Sequence, residues 1–170
     1  MKTFLKAICL LALCSTAGAQ TPWGNVNQGM SEAELQAALP DVQPLRRAVA
    51  GPHGLRGLWS LPHTPVVGVP FDTTFYFRDK RLQQVEQLFV NTQPGCDARA
   101  SYTALVNELS ARYGKQLTAN DSAAGSAGMN ISSSWVAGDT DVVASIAMSA
   151  ARCSMRLIYR ERAVKDADEL

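Results

Sequence analysis

A short run in the middle of the chain limits the architecture most. In Phe71-Asp72-Thr73-Thr74-Phe75-Tyr76-Phe77, the residues Phe71, Thr73, Phe75 and Phe77 fall in one phase and Asp72, Thr74 and Tyr76 in the other. That is the period of a strand with one face buried and one face wetted. Such a strand needs pairing neighbours and a layer over its phenylalanine side. Arg78-Asp79-Lys80-Arg81 follows as a polar turn, and Leu82 to Val90 reads as the returning strand of a hairpin. Leu82 and Val85 are out of phase on that return, so either a β-bulge interrupts it or its register is shifted.

The flanking sequence supplies the covering layer. Ser31 and Glu34 have the spacing of a capping box; Leu35, Ala38 and Leu39 then share a helical face, and Pro40 ends the helix. A second helix runs from Asp97, the expected N-cap, through Tyr102, Leu105, Val106, Leu109 and Tyr113 to a stop at Gly114. Between the first helix and the alternating strand, Pro44, Gly51, Pro52 and Gly54 read as a connection. Leu55 to Leu61 is expected as a strand with Leu55, Gly57, Trp59 and Leu61 on one side, and Pro62 to Pro70 as another break. Thr118 to Asn130, rich in Ser, Ala, Gly and Asn, is expected to be a mobile loop. Strands then follow at Ile131–Ala137, Thr140–Met148 and Arg152–Glu161, the last with Cys153, Met155, Leu157 and Tyr159 in one phase. The fold class expected is α+β, with two helices on one face of a mainly antiparallel sheet. The order helix, three strands, helix, three strands, with a Trp in the first strand of each half (Trp59 and Trp135), leaves open a tandem duplication of 26–90 and 96–162.

The N-terminus carries an address rather than a structural element. Lys2 and Lys6 precede the uncharged run Ala7 to Leu13, and Ala17-Gly18-Ala19 puts small residues before Gln20. These are the three parts of a secretory signal peptide, with cleavage expected between Ala19 and Gln20. Leu11-Ala12-Leu13-Cys14 also resembles a lipobox, but bulky Leu13 stands where that motif prefers a small side chain. A free periplasmic or secreted product is therefore expected ahead of a lipoprotein anchored through Cys14. It would comprise one domain over 20–162 and a polar, fraying tail over 163–170. Losing Lys2 and Lys6 leaves 14 basic against 15 acidic residues, without the basic stripe that phosphate neutralisation demands, so nucleic acid is not an expected partner. No later segment approaches the length of a transmembrane helix. Of four cysteines, Cys9 and Cys14 leave with the signal, and Cys96 and Cys153 are expected to form a disulfide in an oxidising compartment.

Two resemblances bear on these elements. Val26-Asn27-Gln28-Gly29-Met30-Ser31-Glu32-Ala33-Glu34-Leu35 resembles the opening of BamE-like outer-membrane assembly lipoproteins, where a Gly-Met-Ser/Thr capping signal starts a short helix ahead of a sheet. Phe75 to Leu82 is similar to that family's strand–turn–strand. The doubled plan also resembles β-lactamase inhibitor proteins, which are secreted tandem repeats of helices on a sheet. Both resemblances imply a non-enzymatic binding role by analogy of fold.

The search for chemistry in the residues points the same way. His53 and His63 are the only histidines, with no carboxylate at a suggestive spacing. There is no G-x-S-x-G elbow, no CxxC or HExxH, and no phosphate-loop lysine among the glycines near Gly125 and Gly128. Asp139 and Asp141 are explained as turn residues. No catalytic residue, metal or cofactor is assigned. With helices on one sheet face, the other is free to meet a partner. Thr74, Tyr76, Arg78, Arg156, Ile158 and Arg160 are expected to project there, Tyr and Arg being favoured at interfaces. The leading expectation is a periplasmic protein that binds another protein, as an inhibitor or immunity protein occluding an enzyme that attacks the envelope. The alternative is an envelope or outer-membrane assembly scaffold, and the third reading is a small periplasmic enzyme.

Overall fold

The structure, a computed structural model, describes residues 24–124 and 128–162. The segment read as a signal peptide, with Cys14, and the tail beyond Arg162 lie outside the described residues. In chain order the elements are α1 (Glu32–Ala38), β1 (Gln43–Ala50), β2 (Arg56–Val66), β3 (Val69–Arg78), β4 (Arg81–Asn91), α2 (Arg99–Tyr113), β5 (Thr118–Ala124), β6 (Gly128–Ala137), β7 (Thr140–Met148) and β8 (Cys153–Glu161). All strands join one eight-stranded antiparallel sheet in the order β1-β2-β3-β4-β8-β7-β6-β5. Each half is a helix followed by four strands, and the halves meet edge to edge. There β4 pairs with β8 without interruption from Gln84↔Arg160 to Asn91↔Cys153.

Four strands per half, rather than the expected three, is the main correction. Both missed strands are the outermost of the sheet. Every residue of β1 except Leu45 is exposed, so the strand has no buried phase to leave a period-two pattern, and Pro44 is tolerated because an edge strand has one unpaired side. β5 takes up much of the stretch expected as a mobile loop; its Ser, Ala and Asn have poor strand propensity, and its backbone pairing to β6 overrides that. The expected break at Pro62–Pro70 is instead the end of β2, a turn at Val67-Gly68 with positive φ at both residues, and the start of β3. The two tryptophans also move. Trp59 lies in β2 and Trp135 in β6, the second strand of each half rather than the first.

Two bulges set which side chains go inward. Between β3 and β4, Phe77 pairs with Leu82 but Tyr76 with Gln84, so Gln83 is the extra residue and both Leu82 and Val85 return to the core. Between β2 and β3, Gly57 pairs with Tyr76 while Trp59 pairs with Phe75. The expected single phase Leu55-Gly57-Trp59-Leu61 is therefore split: Gly57 takes the side of Tyr76 and Trp59 the side of Phe75.

The core is the phase of Phe71, Phe75, Phe77, Leu82 and Val85 in the first half and Trp135, Val142, Ile146, Met155, Leu157 and Tyr159 in the second. Leu35 of α1 and Tyr102, Leu105 and Leu109 of α2 belong to the same cluster. Each side chain of this size contributes about 1.5–3 kcal/mol on full burial. The capping box of α1 forms as expected: the Glu34 backbone N–H donates to Ser31 Oγ, and the Ser31 N–H donates to Glu34 Oε2 at 2.7 Å. The Ser31 hydrogen bonds hold the Glu34 carboxyl below its ordinary pKa. In α2 the N-cap is Ala98, not Asp97. Asp97 sits one residue earlier, accepts from the Arg99 N–H at 2.9 Å and ion-pairs with the Arg99 guanidinium, which brings its pKa down to about 2. Gly114, at φ 84°, ends the helix as expected. Cys96, just ahead of α2, is joined to Cys153, the buried first residue of β8, with Cα atoms 6.0 Å apart.

Candidate functional site

The two phases of the sheet have different surroundings. Hydrogen bonds tie both helices to the core phase: Trp59 Nε1 donates to Glu32 Oε2 of α1 at 2.8 Å, and the Tyr102 hydroxyl of α2, with one proton to share, lies 3.2 Å from both Ser133 Oγ and the Ala144 carbonyl. The opposite phase has ion pairs and polar side chains, centred on the seam between the halves.

Cross-strand register builds that surface row by row. Tyr76 of β3 lies opposite Gln84 of β4, which lies opposite Arg160 of β8 and then Asp141 of β7. In the next row Thr74, Glu86, Ile158 and Val143 follow one another, and beyond it Leu88, Arg156 and Ser145. Five of the six residues singled out from the sequence, Thr74, Tyr76, Arg156, Ile158 and Arg160, are thus brought onto β3 and β8, the two strands that flank β4. Arg78, in the same phase at the end of β3, is exposed beside the hairpin turn. Residues from both halves contribute, because β4 and β8 are neighbours.

Charge on the surface is arranged in pairs. Arg156 Nε lies 3.6 Å from Glu86 Oε1, and Arg160 Nε lies 3.7 Å from Asp141 Oδ2. Both guanidiniums are half-exposed, whereas the Glu86 side chain retains only 15% exposure. The carboxylates are held in the sheet and the arginines stand above them. Arginine in that position offers a planar donor fork and an apolar stem to an incoming surface.

Tyr76 differs from expectation. It lies in the expected phase but is only 5% exposed. The backbone of the first half closes over its ring at two glycines. A Cβ on Gly51 would come within 2.8 Å of Tyr76 Cδ1, and one on Gly57 within 3.1 Å of Tyr76 Cε1 and 2.8 Å of Thr74 Cγ2. The chain near Pro52–Gly54, a short 3-10 turn, therefore buries Tyr76 from the side away from the core. Burial raises the Tyr76 pKa, the Glu86 charge adds to the rise, and Arg156 opposes it. Tyr76 is a supporting residue of this face, and its accessible cations are Arg78, Arg156 and Arg160.

Sequence reasoning missed Glu86 and Gln84, and it explained Asp141 by turn chemistry. Their roles follow from the bulge at Gln83 and from the β4–β8 pairing, neither of which has a local sequence signature. His53 and His63 are both exposed; His53 borders the Arg160 end of the charged rows, and His63 Nδ1 is 3.9 Å from Asp72. Among the described residues no group of three His, Cys, Asp or Glu side chains is gathered to hold a metal ion, and no helix is long and apolar enough to cross a membrane. No family model, curated protein or solved structure matches the chain.

Proposed function

We propose that the chain is an exported, non-enzymatic binding protein that acts from the periplasm by occluding another protein, as an inhibitor or immunity protein against an enzyme that attacks the cell envelope. The observation that carries this reading is the face formed by β3, β4 and β8, where Arg156 and Arg160 stand half-exposed over the carboxylates of Glu86 and Asp141. Arginine at the centre of a broad, regular surface is the composition that concentrates binding energy in protein interfaces. Export is supported by the signal read in residues 1–20 and by the Cys96–Cys153 bond, which suits an oxidising compartment.

The two halves are further read as tandem copies of one helix-and-four-strand unit. Three correspondences support this: the shared element order, a tryptophan on the second strand of each half, and the pairing of the two fourth strands at the centre. A fused pair of this kind makes a binding face wider than either copy alone. The resemblance to β-lactamase inhibitor proteins belongs with this reading, and the resemblance of the N-terminal segment to BamE-like lipoproteins belongs with an assembly scaffold.

Capture from an envelope extract with tagged protein, oxidised and lacking residues 1–19, separates the readings. An occluding protein is expected to recover one exported enzyme in a one-to-one complex and to abolish that enzyme's activity. Recovery of a multi-subunit membrane complex would instead favour the scaffold, and turnover of a substrate by the protein alone would favour an enzyme.

A further inference from the structure

We propose that a groove at the Arg160 end of this same face binds a carboxylate group. The groove has a volume of about 410 Å³ and lies between the Pro52–Gly54 turn and the ends of β3, β4, β7 and β8. That volume is within the range of small-molecule sites. The side chains that matter are His53, Arg78, Gln84, Asp141, Arg160 and Glu161.

Gln84 decides what the groove takes. It is only 3% exposed, and its Nε2 is buried without a hydrogen-bond acceptor. A sealed amide donor with no partner is costly in a folded protein, and an acceptor supplied by a ligand removes that cost. The neighbouring groups add donors. Arg78 is exposed and makes no ion pair among the described residues. Arg160, directly across the strand pair from Gln84, is half-exposed, and its 3.7 Å approach to Asp141 is too long for a hydrogen bond. Its planar fork is therefore not committed to Asp141 and can donate to a second oxygen of the ligand. A carboxylate, flat with two acceptor oxygens, fits an amide donor flanked by guanidiniums. A cationic ligand would leave Gln84 Nε2 unsatisfied, and a polyphosphate would bring several negative charges against Asp141 and Glu161 where a carboxylate brings one.

The wall opposite the sheet is preset. His53 has left-handed backbone angles (φ 52°, ψ 36°), which a residue with a Cβ rarely adopts. The turn is held by the Gly51 N–H donating to the Leu55 carbonyl at 2.8 Å and the Leu55 N–H donating to the Pro52 carbonyl at 3.0 Å.

The carboxylate has two possible sources, a free small acid or an Asp or Glu side chain of a protein, and the test separates them. The ¹⁵N-labelled, oxidised protein is titrated with glutarate, with a capped peptide containing one Glu, and with sodium chloride at matched ionic strength. The Gln84 side-chain NH₂ and the Arg78 and Arg160 Nε–H resonances are followed. Saturable shifts of the Gln84 NH₂ with glutarate support a free acid as ligand; saturation with the peptide alone supports a protein side chain. Arg78→Gln, an exposed change that leaves the melting temperature unaltered, is expected to weaken either interaction about tenfold. Shifts no larger than those given by chloride, or full binding retained by Arg78→Gln, would overturn the proposal.

Discussion

The two faces of the sheet use the same strands to opposite ends. On β3, Phe75 and its phase mates are buried with residues of α1 and α2, while Thr74 and Tyr76 lie one residue away on the other side. On β8, Met155 and Leu157 are fully buried, and the alternate residues Arg156 and Arg160 stand half-exposed above carboxylates. The core face is specified by volume and apolar contact, so almost any change there is felt across the domain. Apart from the buried Tyr76, the outer face is specified by charge and register, and its half-exposed ion pairs add little to stability. That contrast teaches that the exposed side chains of this sheet can change without changing its fold.

The largest effect expected is on the core face. Phe75→Ala removes a fully buried ring and should cost about 3–5 kcal/mol of unfolding free energy, measured by urea denaturation. A loss below about 1 kcal/mol would mean the face is not the core. Next is the cross-link that ties the start of α2 to β8. Replacing Cys96 and Cys153 together by Ala opens a loop with a sequence separation of 57, and chain-entropy arithmetic gives about 4 kcal/mol as the upper expectation. A double variant with an unchanged denaturation midpoint would show that the bond restrains nothing in the unfolded chain.

The third effect separates the faces by titration. Burial raises the pKa of Tyr76 on the outer face and of Tyr102 and Tyr159 in the core. A tyrosine whose folded pKa lies above its unfolded value of about 10 binds its proton more tightly when folded. Its contribution to stability is complete below pH 10 and is lost as pH rises through the folded pKa. The melting temperature should therefore fall steeply above about pH 10. Tyr76→Phe should remove a small part of that fall, and Tyr159→Phe, whose group is more deeply buried and more strongly shifted, a larger part. A melting temperature that stays level from pH 9 to 11.5 would contradict this.

How much of this was legible in the sequence depends on whether a residue has a buried neighbour in phase. Phe71–Phe77 and Cys153–Tyr159 alternate because one of their sides is buried, and the capping box and Gly114 mark helix ends by local chemistry. β1 was invisible because an exposed edge strand has no apolar phase, and β5 because Ser, Ala and Asn resemble loop composition. The phase of Gly57 is reversed by a bulge between Gly57 and Trp59, for which Gly57 inside the run is the one residue signal. For the outer face, alternation was enough to put Thr74, Tyr76, Arg156, Ile158 and Arg160 on one side. The partners Gln84, Glu86 and Asp141 required the pairing of β4 with β8, a contact between distant segments. The burial of Tyr76 required knowing that Gly51 and Gly57 let the backbone close over its ring.

The smallest effect on stability is expected to accompany the largest on binding, and here the central claim is most exposed. Arg156→Ala on the outer face and Arg112→Ala on the solvent side of α2 each remove one arm of an ion pair whose arginine is about half-exposed. Each should change stability by no more than about 1 kcal/mol. The decisive measurement is the affinity of these two variants, beside the unaltered protein, for the protein captured from the envelope extract. The account predicts at least a tenfold loss for Arg156→Ala, the level of an interface hot spot, and less than a twofold change for Arg112→Ala. The reverse pattern, with Arg112→Ala weakened and Arg156→Ala unaffected, would put the partner on the helices and contradict the assignment of the open sheet face as the binding surface.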